Sequence, residues 1–158
     1  MVMAIRAIAL DVDGVFTDGG FLLGPDGSEL KRFSFRDVMG VALGRKAGLR
    51  FALISGEDGP VLDSLARKLG IQEVHGQCRE KGEALKAFAE KEGLPLQSIC
   101  FMGDDINDLP AMELAGLSAC PSDAHQTVKA KATWVLQSGG GKGAVRELID
   151  RLLEVENP

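Results

Sequence analysis

Two acidic runs, each at the end of an apolar stretch, carry the chemistry that this chain can do. Ile5 to Leu10 reads as a short buried strand and empties into Asp11-Val12-Asp13-Gly14. Ser98 to Met102 reads the same way and empties into Gly103-Asp104-Asp105-Ile106-Asn107-Asp108. Charge at a strand's carboxyl end lies where open α/β sheets bind ligands. Asp and Gly are also common turn formers, but two strands ending in acid clusters exceed what turn chemistry requires. If the two strands are neighbours in a parallel sheet, their ends are roughly 5 Å apart, so Asp11, Asp13 and Asp104 face one point. Carboxylates that close repel one another and call for a cation. An all-oxygen set suits a hard ion such as Mg²⁺, which shares its coordination with substrate phosphate. Two acids in different surroundings can also divide the work, one as nucleophile and the other as acid and base.

The elements that must position these acids alternate along the chain. Strands are expected at 5–10, 50–54, 73–75, 98–102, 117–120 and 132–135. Helices are expected at about 37–48, 58–69, 79–92, 106–114, 124–129 and 142–155. Such alternation predicts an α/β fold, a three-layer Rossmann-like parallel sheet with helices on both faces, in one domain over 1–158. Residues 20–33 break the pattern. Two short apolar runs flank Pro25-Asp26-Gly27, which predicts a β-hairpin flap over the mouth of the site. Ser55 and Gly56 follow the strand that ends at Ile54, where a hydroxyl and free backbone N–H groups can hold a phosphate oxygen. As a lone residue, Ser55 would equally serve as a helix cap. Lys81 opens a helix, where a cation opposes the helix dipole and so implies a compensating anion, here a phosphoryl group.

Composition excludes several classes. The 158 residues are 45% hydrophobic with a mean hydropathy near zero, enough for a sizeable core. The net charge of −5 and absence of a basic stripe speak against a nucleic-acid partner. No apolar run reaches the roughly 18 residues of a membrane span, and no leader peptide is expected. Cys78, Cys100 and Cys120 are widely spaced, as expected of reduced core residues in a cytoplasmic protein. His75 and His125 are expected to be structural. The Gly-rich run 139–143 lacks the Lys-Ser/Thr of a nucleotide loop and reads as the flexible start of the last helix.

Taken in order, Asp11-Val12-Asp13-Gly14-Val15-Phe16-Thr17-Asp18, Ile54-Ser55-Gly56, Lys81 and Gly103-Asp104-Asp105-Ile106-Asn107-Asp108 resemble the four motifs of the haloacid dehalogenase-like phosphatases. Thr17-Asp18-Gly19, the hairpin, Phe33-Ser34-Phe35-Arg36-Asp37, Leu69-Gly70-Ile71 and the run 139–147 resemble the branch without a cap domain. That branch dephosphorylates 2-keto-3-deoxy sugar acids, either 3-deoxy-D-manno-octulosonate 8-phosphate or the nine-carbon nononate 9-phosphate. The resemblance implies that Asp11 is the nucleophile, forming an aspartyl-phosphate, and that Asp13 is the acid and then the base. It implies phosphate binding by Ser55, Gly56 and Lys81. It implies Mg²⁺ held by Asp11, Asp104 and the backbone carbonyl of Asp13, with Asp105 and Asp108 orienting these ligands from behind. It places Arg36, Asp37, Glu57 and Lys68 at the substrate.

The octulosonate branch usually carries Arg where this chain has Glu57, and Glu57 with Lys68 looks like the nononate type. An acid accepts hydrogen bonds from sugar hydroxyls, whereas Arg pairs with a carboxylate. Both branches usually carry Arg where this chain has Leu65, and the octulosonate branch has Gly where this chain has Val38. Arg36, Arg67 or an Arg of a neighbouring subunit is then left to hold the sugar carboxylate. The apolar hairpin implies a homotetramer, with the C-terminal segment near Arg146 reaching a neighbour's site. Two other readings fit parts of the pattern. One is a non-catalytic oligomerisation or regulatory module related to the C-terminal part of CMP-sialate synthetases. The other is a phospho-receiver domain.

Overall fold

The computed structural model describes residues 4–156. Six parallel strands form its sheet: β1 (Ala7–Leu10), β4 (Arg50–Ile54), β5 (Glu73–His75), β6 (Ile99–Met102), β7 (Leu117–Cys120) and β8 (Trp134–Val135), in the order β5-β4-β1-β6-β7-β8. The hairpin strands β2 (Leu22–Leu23) and β3 (Glu29–Leu30) pair antiparallel outside it.

Side chains alternate across a strand, and that sorts the core into two layers. Ile8, Leu10, Leu53, Cys100 and Met102 face one side. There they meet α1 (Phe35–Lys46), α2 (Pro60–Leu69) and α6 (Ala144–Glu156). Ala7, Ala9, Ala52, Ile54 and Phe101 face the other. There they meet α3 (Lys81–Glu92), α4 (Leu109–Leu114) and α5 (Gln126–Lys131). The doubly covered parallel sheet is the architecture that the alternation predicts.

Several helix limits follow from local chemistry. Ser34 caps α1, its Oγ accepting from the Arg36 N–H, so the helix begins at Phe35 and not at 37. Pro60 opens α2, since its missing N–H would have no partner there. Gly70 and Gly93 close α2 and α3 in the left-handed conformation. The helix expected at 106–114 is divided into a 3-10 turn over 106–108 followed by α4. Gly40 lets α1 lie close on α6, and Gly44 makes room for the Phe51 ring of β4. A Cβ at Gly40 would come 3.0 Å from the Cα of Arg146.

Strand order fixes where the site must be. From β1 the chain builds outward through β4 and β5, then returns to the other flank of β1 as β6. The crevice at such a reversal, beyond the strands' carboxyl ends, is where these sheets bind ligands. Leu10 lies opposite Leu53 on one side and Met102 on the other. Asp11, Ser55 and Gly103-Asp104 therefore emerge side by side.

Candidate active site

Asp11 is the first residue past β1, and its backbone N–H still donates to the Met102 carbonyl at 3.0 Å. Its Oδ1 accepts from the Val12 N–H at 2.8 Å and lies 3.0 Å from Lys81 Nζ. Lys81, at the first turn of α3, is only 2% exposed. Its ammonium also donates to Asp108 Oδ1 at 2.7 Å. Lys81 thus already has two anions of the chain itself, Asp11 and Asp108, where the sequence reading expects a phosphoryl group. Asp108 is fully buried, and its Oδ2 accepts from the N–H groups of Asp104 and Asp105 at 2.8 and 3.1 Å. One carboxylate thereby ties the acidic loop to α3. Asp105 caps the 3-10 turn through the Ile106 N–H.

Carboxylate oxygens of Asp11, Asp104 and Asp108 lie within 4.8 Å of one another. Burial, followed by the charge of Asp108, pushes the Asp11 carboxyl well above its ordinary value, against the pull of Lys81. Burial pushes Asp104 up to about 6, with Asp108 and Asp105 adding to the shift. Burial opposes the charge on Lys81, but Asp11 and Asp108 outweigh it and raise its pKa. One ammonium does not neutralise three crowded acids. The donor set fits a hard divalent cation. Both Asp108 oxygens are already engaged by Lys81 and the loop amides, so Asp11 and Asp104 are the side chains placed to hold an ion.

Gly14 makes the close approach between the two acidic loops. Its φ is +83°, and a Cβ there would overlap Asp104 Oδ2. Thr17, also buried, holds the loop by accepting from the N–H groups of Gly14 and Gly19 at 3.1 Å each. The Gly-rich segment packs against the same loop, contrary to its expected flexibility. The Gly141 N–H donates to the Val15 carbonyl at 3.1 Å, and a Cβ at Gly140 would overlap the carbonyl oxygens of Gly14 and Thr17. Ser55 Oγ accepts from the Glu57 N–H at 3.1 Å, which leaves the hydroxyl proton free for an anion. Gly56 is exposed beside it. These loops enclose a cavity of 370 Å³, whose lining includes Asp11, Asp13, Glu57, Lys81, Asp104 and Asn107.

The structure does not bring every expected residue here. Asp37 is fully buried, and its Oδ1 accepts from the Arg146 N–H at 3.0 Å, so it caps α6 and cannot touch a substrate. Burial raises its pKa. Arg36 is exposed on the first turn of α1 and Lys68 on the last turn of α2, the end remote from the cavity. Leu65 is core, and Arg67 is exposed. Arg146, expected to reach a neighbour's site, pairs with Asp150 one turn along its own helix. The histidines have local roles: His75 pairs with Glu73, and His125 caps α5. Cys100 and Cys120 are buried and free. Sequence reasoning missed Lys31, whose ammonium meets Asp13 Oδ1 at 2.8 Å. Its one signal is a cation in an apolar hairpin.

Comparison with known proteins agrees with this geometry. Residues 60–148 match the model of the haloacid dehalogenase-like hydrolase family. Over 149 residues the chain is 36% identical to the 3-deoxy-D-manno-octulosonate 8-phosphate phosphatase of Escherichia coli, covering 94% of this chain and 79% of that one. The crystal structure of the Yersinia pestis 3-deoxy-D-manno-octulosonate 8-phosphate phosphatase superposes with a TM-score of 0.95 at 34% identity, covering 97% of this chain and 83% of that one. The Moraxella catarrhalis enzyme, solved with magnesium, phosphate and KDO, gives 0.92 at 31% identity, with coverage of 95% and 86%. The phospho-receiver alternative falls to these matches. The chain belongs to the haloacid dehalogenase-like hydrolases, as a phosphatase of the 3-deoxy-D-manno-octulosonate 8-phosphate phosphatase group.

Proposed function

We propose that the chain hydrolyses the phosphate monoester of a 2-keto-3-deoxy sugar acid, with the eight-carbon 3-deoxyoctulosonate 8-phosphate as substrate. The observation that carries this is the meeting of Asp11, Lys81 and Asp104 at the strand ends in a chain 36% identical to such a phosphatase. Asp11 attacks phosphorus and takes up the phosphoryl group. Asp13 gives a proton to the ester oxygen as it leaves, then activates the water that cleaves the aspartyl-phosphate. The Ser55 hydroxyl, the Gly56 N–H and the Lys81 ammonium bind the phosphoryl oxygens, while Asp108 fixes Lys81 and the acidic loop. Asp11, Asp104 and the Asp13 carbonyl would hold Mg²⁺, which when bound neutralises phosphoryl charge.

Phosphate release should be seen with the eight-carbon ester, vanish in Asp11→Asn and be lost on chelation. Substantial activity of a metal-loaded Asp11→Asn protein would overturn the nucleophile. No turnover of any keto-sugar acid phosphate would favour a non-catalytic module. Glu57 supports a second reading, the nine-carbon ester, because it lines the cavity as a hydrogen-bond acceptor. On that reading Glu57→Arg shifts preference from nine carbons toward eight. An unmoved ratio of kcat/KM values would leave Glu57 as a helix-start acid.

We also propose a homotetramer acting in the cytoplasm. Phe21, Leu22, Leu23 and Leu30 of the hairpin are 54–70% exposed and call for a partner surface. No helix among the described residues is long and apolar enough to cross a membrane.

A further inference from the structure

The hairpin carries one side chain unlike its neighbours. Leu22, Leu23, Glu29 and Leu30 are exposed, yet the Lys31 side chain is only 8% exposed. A lysine lays its stem on the protein only where its ammonium still finds water or a partner. Here the partner is Asp13 Oδ1 at 2.8 Å, eighteen residues earlier in the chain. Among the described residues this is the hydrogen bond between two side chains that joins the hairpin to the Asp11–Asp13 loop. Asp13 Oδ2 accepts no hydrogen bond from a described residue. A carboxylate's terminal torsion is broad, so one anchored oxygen decides where the other points.

We infer that Lys31 is a positioning residue for Asp13: by holding Oδ1 it directs Oδ2 at the leaving ester oxygen. The inference rests on the proposed role of Asp13 as proton donor. In that step an Asp11 oxygen bonds to phosphorus, the bond from phosphorus to the ester oxygen breaks, and the Asp13 proton passes to that oxygen. Lys31 keeps all its protons. The hairpin is thereby part of the machinery that releases the alcohol, as well as a cover over it.

Two substrates separate this role from others. An alkyl ester such as 3-deoxyoctulosonate 8-phosphate needs its leaving oxygen protonated, whereas p-nitrophenyl phosphate releases a stable anion. Because kcat/KM reports steps up to formation of the phospho-enzyme, later water attack does not blur the comparison. Lys31→Met should lower kcat/KM about 10- to 100-fold on the sugar ester, as misplacement of a reacting group does, and far less on the aryl ester. Lys31→Arg should restore the sugar ester, and Lys31→Met should add little in an Asp13→Asn background. An equal fall on both esters with an unchanged melting temperature would overturn the inference. A rise in KM alone on the sugar ester would also overturn it, by making Lys31 a substrate contact. If Lys31→Met does not fold, Lys31→Gln replaces it in the same comparison. Asp13→Asn is the reference: equal losses there refute the proton donor and the inference together. Selective losses there without selective losses in the Lys31 variants refute the inference alone.

Discussion

Asp104 shows how a side chain built for a ligand weighs on the fold that carries it. Burial raises its carboxyl from an ordinary 3.8 to about 6, so the folded protein holds that proton more tightly than the unfolded chain does. The resulting stability is complete below the unfolded value and is lost as pH rises through about 6. At neutral pH the ionised group therefore strains the metal-free protein. Metal-free Asp104→Asn is expected to be more stable than the parent at pH 7 by about 1–2 kcal/mol, read as a higher Tm. Mg²⁺ should no longer raise the Tm of that variant. In the parent, the rise in Tm with Mg²⁺ should shrink as pH falls through about 6, because a proton competes for the same oxygens. A pH-independent rise in Tm, or one retained in Asp104→Asn, would mean that another group holds the ion.

At the scale of elements, the Gly-rich segment is a buttress for the Asp11 loop. Gly140→Ala is expected to destabilise the protein by about 1–3 kcal/mol, because a Cβ would meet two backbone oxygens that have no rotamer to escape into. Phosphatase activity should fall with it, measured beside a urea titration. Normal stability and turnover would show that the loop can give way. The strands and the meeting of Asp11 with Asp104 were legible in the sequence, because apolar runs ending in acids leave few topologies. The third acid of the cluster is Asp108, where the sequence reading expects Asp13, whose carboxylate turns instead to Lys31. The packing of residues 139–143 was not, because close backbone approach and a mobile linker both call for glycine. Asp37 was misread for a related reason. A carboxylate at one helix start says nothing of a second helix whose amides it meets 109 residues later. Motif positions likewise carry no distance, so the sequence places Lys68 at the substrate whereas the structure puts it on the last turn of α2, the end remote from the cavity. Lys31 was hidden because a hairpin's apolar residues dominate its pattern, and the pair with Asp13 exists only once the chain has turned back.

For the whole molecule, the hairpin's exposed apolar residues are what the proposed assembly rests on. A two-stranded hairpin is marginal in water. Sedimentation at micromolar concentration should give a tetramer, and Leu22→Asp with Leu30→Glu should give smaller species with reduced activity. A fully active monomer of the parent chain would refute both the assembly and any need for neighbours. The links from the Gly141 N–H to Val15 and from the Arg146 N–H to Asp37 have a different consequence, one of timing. The Asp11 loop is synthesised well before the residues that brace it. Domains tend to fold as units during synthesis, at roughly 5–20 residues per second. Here Asp11 is synthesised well before it is braced, since bracing waits until α6 is released. A chain truncated before Gly139 is then expected to fold without those braces and to release no phosphate, as a phosphatase assay beside a urea titration would show.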